Sequence, residues 1–169
     1  MTRSFRHGLA AALLAAASVP TSASAQDRCI SRAENQALVA HLLPDLLESV
    51  EKRCTPVLGR GTFLERGAKE LAGKAEPMSR RAWPAAREAL ERQSGSRLPK
   101  NDYILNIGRR AITDGIANGM DAQACRTTDE LLAQLAPLPP ENLANVFALF
   151  LEAGLNGNPD SELRVCPVR

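Results

Sequence analysis

The stretch SRAENQALVAHLLPDLLESVEKR, residues 31–53, decides the fold class. Ser31 followed by Glu34 is a capping-box pattern, in which each side chain reaches the other residue's backbone N–H. Leu38, Val39, Leu42, Leu43, Leu46, Leu47 and Val50 then recur at three- and four-residue spacing. At 100° per residue they share one side of a helix, while Glu34, His41, Asp45, Glu48 and Lys52 share the other. The stripe keeps its phase across Pro44, which falls toward the polar side. The segment therefore reads as one kinked helix, with a break into two as the alternative.

The same pattern continues downstream. Thr55 to Gly61 reads as a loop on its proline and glycines, and Thr62 with Glu65 opens a second helix that Pro77 ends. A third runs from Ser79 to about Gln93, with Trp83, Ala86 and Leu90 on one face and Arg87/Glu91 and Glu88/Arg92 as i,i+4 pairs. After a Gly/Ser/Pro loop at 94–100, a fourth spans about Asp102 to Asn118. On it Ile104, Gly108, Ala111, Gly115 and Gly119 form a strip where another backbone could approach closely. Thr127 and Glu130 start a short fifth helix, and Pro140 precedes a sixth, Glu141 to Ala153. That last helix is apolar almost all round, so it is expected to be the central one, with Phe147 and Phe150 in the core. No segment alternates over a strand's length. The expected fold is an all-α, single-domain bundle of about six helices.

Upstream of the first helix, Arg3, Arg6 and His7 precede an unbroken run of apolar and small residues, Leu9 to Val19, and then Ala23-Ser24-Ala25. This is the form of a cleaved signal peptide covering residues 1–25, which leaves 26–169 as one α-helical domain. The run is too short to cross a bilayer, and Gln26-Asp27-Arg28 before Cys29 does not suit lipidation, so no transmembrane or lipid anchor is expected. The product is expected outside the cytoplasm: secreted, and periplasmic or extracellular in a bacterial envelope, with a eukaryotic secretory route as the alternative. The formal net charge of +2 over 169 residues belongs to that leader, because without Arg3 and Arg6 the basic residues number 19 against 19 acidic.

The four cysteines, Cys29, Cys54, Cys125 and Cys166, show no C-x-x-C or Cys/His spacing, so two structural disulfides are expected rather than a metal or redox site. Cys29 and Cys54 flank the first helix, whose ends stand roughly 35 Å apart at about 1.5 Å per residue. A disulfide needs Cα atoms within about 7 Å, so that pairing is disfavoured. Up-and-down counting of separate helices favours Cys29 with Cys125 and Cys54 with Cys166. Either remaining arrangement clips the chain ends onto its middle.

Chemistry is harder to find. His41 beside Asp45 lacks any accompanying nucleophile signature and reads as a solvated surface histidine. A cell-wall hydrolase would need one or two placed carboxylates. Glu65, Glu70, Glu88, Glu91 and Glu152 are available, but Glu65 reads as a cap, Glu88 and Glu91 as ion-pair partners, and Glu152 as a last-turn residue reaching water. The glycines of the fourth helix match no phosphate-loop spacing, and no cofactor is implied.

Charge distribution is more unusual, since residues 60–110 hold 12 basic and 6 acidic residues and residues 111–162 hold 1 and 8. Mutual cancellation of the two halves is the plainer reading. The other is a patch of Arg80, Arg81, Arg87, Arg109 and Arg110 facing an envelope protein, anionic lipid or lipopolysaccharide. Nucleic acid is disfavoured, with only Trp83 and Tyr103 to stack on bases. The function read from these residues is a non-catalytic binding or structural module of the cell envelope, with a carrier of a small apolar ligand and a carboxylate hydrolase as alternatives.

Overall fold

The computed structural model describes residues 29–157 and 164–166; the expected leader, residues 1–25, lies outside them. The described chain runs β1 (Cys29–Ile30), α1 (Arg32–Leu58), α2 (Phe63–Ser94), α3 (Asp102–Asn118), α4 (Ala122–Leu135), α5 (Pro140–Gly157) and β2 (Arg164–Val165). The fold is all-α, with five helices among the described residues rather than six. The two-residue strands pair in parallel, Cys29 opposite Arg164 and Ile30 opposite Val165.

α1 begins as its sequence requires. Ser31 Oγ accepts the Glu34 N–H at 3.2 Å, and the Glu34 carboxylate accepts the Ser31 N–H at 2.7 Å. The helix is continuous across Pro44, whose ring is fully buried instead of lying on the polar side. Pro44 has no N–H to give to the preceding turn. Beside it, the His41 carbonyl receives the Ser79 hydroxyl at 2.7 Å. α1 also runs through the expected loop at Thr55 as far as Leu58, because Pro56 is exposed and water can reach the carbonyl it leaves unpaired. Gly59, at φ +83°, ends it.

The lost helix is explained by α2. Pro77 and Pro84 stand seven residues apart, two full turns, and both are exposed. The bonds they forfeit would have gone to the carbonyls of Gly73 and Arg80, also on the exposed side, where water substitutes. Meanwhile Leu64, Ala68, Leu71, Ala75, Met78, Ala86 and Ala89 keep one buried stripe from end to end. Burial of that stripe against α1 outweighs two broken turns, so the expected second and third helices are one.

This fusion also reverses the disulfides. With α2 as a single descending helix, α3 ascends and delivers Cys125, near the start of α4, to the end of α1. The observed bridges are Cys54–Cys125 and Cys29–Cys166, with Cα atoms 5.3 and 5.1 Å apart. Counting Pro77 as a helix end adds one helix and places Cys125 at the other end of the bundle, next to Cys29.

The principal core lies between α1 and α2 and includes Leu43, Leu47, Val50, Leu64, Leu71, Leu132 and Leu143. α4 is capped by Asp121, which accepts the Ala124 N–H at 2.7 Å, and so begins before the expected Thr127. α5 starts at Pro140 as expected, but it is not central. It buries Leu143, Ala144 and Ala148, while Leu149 and Phe150 are 52% and 58% exposed. The buried Asn35 side chain donates to the Ala148 carbonyl at 2.8 Å, and Arg32 forks onto Glu152 at 3.1 and 2.8 Å, tying α5 to the start of α1.

Candidate functional site

α3 is attached to the bundle in an inverted manner. Its main contact is with α1, and beside the buried Ala117 that contact is polar: Arg109 pairs with Asp45, and Ser49 donates to Asp114 at 2.7 Å with Thr113 Oγ1 at 3.2 Å. Asp45 and Ser49 lie one turn apart on α1, as do Arg109 and Thr113 on α3, so two short polar rows face each other. Only Thr113 and Ala117 of α3 are buried. Its isoleucines stay out of the core, Ile104, Ile107, Ile112 and Ile116 each being about half exposed. The glycine strip faces open space as well. A Cβ placed on Gly108 or Gly115 would meet nothing within 4 Å, so these residues are not a helix-packing seam.

Because α3 leans on α1 through this seam, a cavity of about 540 Å³ is left between α1, the second half of α2 and the first half of α3. His41 and Leu42 contribute from α1, Trp83 and Leu90 from α2, and Ile104, Leu105, Gly108, Arg109 and Ile112 from α3. The 95–101 connection closes one side with Leu98 and Pro99. That wall is clipped in place: Arg87 donates to Glu91 at 3.0 Å and to the Leu98 carbonyl at 2.7 Å, and Glu91 accepts the Leu98 N–H at 2.9 Å. The Arg87 guanidinium also lies 5.7 Å from the Trp83 ring centre.

His41 is the residue most misjudged from the sequence. It is half-buried and stacked on Trp83, with ring centres 4.5 Å apart and planes inclined by 27°. Its Nδ1 lies 3.2 Å from the Ser79 carbonyl. Burial holds its pKa below the usual histidine value, opposed by the bond to Ser79, so the ring is neutral near pH 7. Asp45 moves the other way: burial raises it and Arg109 partly offsets this. The partners of His41 are more than 35 residues away, which no local pattern reveals. The available signal was rarity, since Trp83 is the chain's one tryptophan and His41 one of two histidines.

The five arginines expected as an anionic-partner patch are spread over α2 and α3, and four of them hold carboxylates. Arg80 pairs with Glu76 at 3.4 Å, Arg81 with Glu141 at 3.0 Å, Arg87 with Glu91, and Arg109 with Asp45. Arg110 borders a shallow cleft with Asp45, Glu48 and Asp114. Of the carboxylates weighed for hydrolysis, Glu65 accepts the Gly61 N–H, Glu70 pairs with Lys74, and Glu152 is lowered by Arg32. A general acid needs the opposite shift. Among the described residues, no group of three or more His, Cys, Asp or Glu could hold a metal ion, and no helix is long and apolar enough to cross a membrane.

No protein-family model matches the chain, and no curated protein or solved structure is detectably similar to it.

Proposed function

We propose that the protein is a non-catalytic binding module working outside the cytoplasm, in the periplasm or beyond it, and that it carries a small apolar ligand in the cavity between α1, α2 and α3. One observation carries this reading: the cavity has a ligand's volume and apolar walls already held in position. Core-type side chains such as Leu42, Leu90, Leu98 and Ile112 face it, and the Arg87–Glu91 clip keeps its loop wall closed before anything binds. Two disulfides and a leader-like N-terminus support the location. An anionic lipid or lipopolysaccharide is less well served, because most of the candidate arginines are engaged with carboxylates.

Trp83 in the cavity wall makes the test direct. Saturable binding of N-phenyl-1-naphthylamine, with energy transfer from Trp83, is expected, and Gly108→Leu, which puts a side chain into the cavity, should abolish it without unfolding the protein. Absence of saturable binding by the oxidised, folded chain would overturn the proposal.

A second reading, docking of an envelope protein, is favoured by the exposed apolar side chains Leu149, Phe150 and Leu151 on α5. Under it, Phe150→Glu abolishes capture of a specific partner while leaving dye binding intact.

A further inference from the structure

Resting on the reading of the cavity as a ligand site, we infer that the cavity selects an uncharged ligand bearing a hydrogen-bond donor, an alcohol or phenol on an apolar body, and that His41 Nε2 accepts that O–H. The tautomer of His41 follows from its neighbours. The Ser79 carbonyl can only accept, so the contact at 3.2 Å requires the proton to be on Nδ1. The Ser79 hydroxyl, 3.3 Å from the same nitrogen, has one hydrogen, and that hydrogen is given to the His41 carbonyl at 2.7 Å. It cannot also be donated to Nδ1.

These reciprocal bonds fasten α1 to α2 and leave Nε2 as a bare acceptor. Among the described residues Nε2 has no partner, and it is not sealed from solvent. His41 lines the cavity, and stacking on Trp83 keeps its ring from turning away.

The charges around the cavity argue for a neutral ligand. Arg109, the cation in the lining, is held by Asp45, and Arg87, which is bonded to the Leu98 carbonyl of the loop wall, is held by Glu91. The acidic group of the lining, Asp102, stands in the first turn of α3 and repels an anionic head. A fatty acid would bring an unmatched negative charge, whereas a hydroxyl would meet a bare imidazole nitrogen inside an apolar wall. A donor left without a partner there is penalised, and so is an acceptor, so one matched bond discriminates between ligands of equal size.

The test compares 4-hexylphenol with 4-hexylanisole, its methyl ether lacking the donor, and with decanoate, by calorimetry on the full oxidised chain at pH 7.5. The phenol is expected to bind about fivefold or more tightly than the ether, and decanoate more weakly than either. His41→Phe, which keeps an aromatic ring against Trp83, should equalise phenol and ether. In the unaltered protein, long-range proton–nitrogen NMR should show Nε2 unprotonated, with its resonance moving upfield on addition of the phenol and not of the ether. Equal affinities with an unmoved Nε2 signal would overturn this inference and leave the carrier reading standing. Tighter binding of decanoate would overturn the choice of a neutral ligand. Binding of none of the three would remove both readings.

Discussion

Replacing Gly108 and Gly115 by alanine tests how α3 presents its surface. Both glycines lie inside the Asp102–Asn118 helix, neither has a positive φ, and an added Cβ on either would meet no atom within 4 Å. Glycine is less favourable than alanine in a helix interior by about 0.8–1 kcal/mol. With no contact to lose, each substitution should return most of that difference, and the pair about 1.5–2 kcal/mol. For a chain of this size the double variant should melt about 6 °C higher. In urea its midpoint should rise with the slope unchanged, because the surface exposed on unfolding is nearly the same. A close-packed glycine seam makes the opposite forecast, since methyl groups forced against a neighbouring backbone cost about 1–3 kcal/mol. The sign of the change is therefore decisive. A loss of stability in either single variant would refute the open placement of α3 and mean that another backbone lies against this face in solution.

Two further outcomes concern the scaffold. Removing the inner bridge with Cys54→Ala and Cys125→Ala, which frees a loop spanning a 71-residue separation, should cost about 4 kcal/mol by loop-closure entropy, measured by denaturant unfolding. A non-reducing peptide map should show Cys29 linked to Cys166. Arg92 holds Glu34 well below the usual carboxylate range, at about 2, so its contribution is present in full above about pH 4.5 and vanishes as pH falls through 2. After screening of the half-exposed Arg92, Glu34→Gln should cost about 1–2 kcal/mol at pH 7, with the cost shrinking below pH 4.5 and nearly gone as pH falls past 2, as followed by unfolding at stepped pH.

Much of the architecture was legible because local rules and burial agreed. Ser31 and Glu34 announce α1 and do what the capping box says, and Pro140 opens α5 where its missing N–H is harmless. The misreadings share a cause. Pro77 reads as a stop because its local penalty is plain in the sequence, whereas the compensating stripe of Leu71, Ala75 and Met78 lies on both sides of it. α5 looked central from hydrophobicity alone, yet composition does not say which of two apolar faces is covered. The candidate site was the least visible part. It arises where α3 spends its polar residues Arg109 and Thr113 on α1 and leaves its isoleucines outside, an inversion of the usual amphipathic rule. Nothing in residues 102–118 identifies Asp45 and Ser49 as their partners.

The two bridges are nested, one spanning residues 29 to 166 and the other 54 to 125 within it. A protease meeting this molecule would most readily find the exposed connection at Gly95, Ser96 and Arg97. A cut after Arg97 leaves one chain ending at Arg97 and another beginning at Leu98, and each bridge joins one chain to the other. The fastenings sit near opposite ends of α1, so the nicked halves cannot hinge apart about a single tether. Cleavage would sever the connection beside Leu98, leaving that side of the cavity held by the bonds of Leu98 to Arg87 and Glu91 while the helices around it keep their places. A nicked molecule therefore persists as two chains joined near both ends of α1, with one edge of the cavity no longer continuous in sequence.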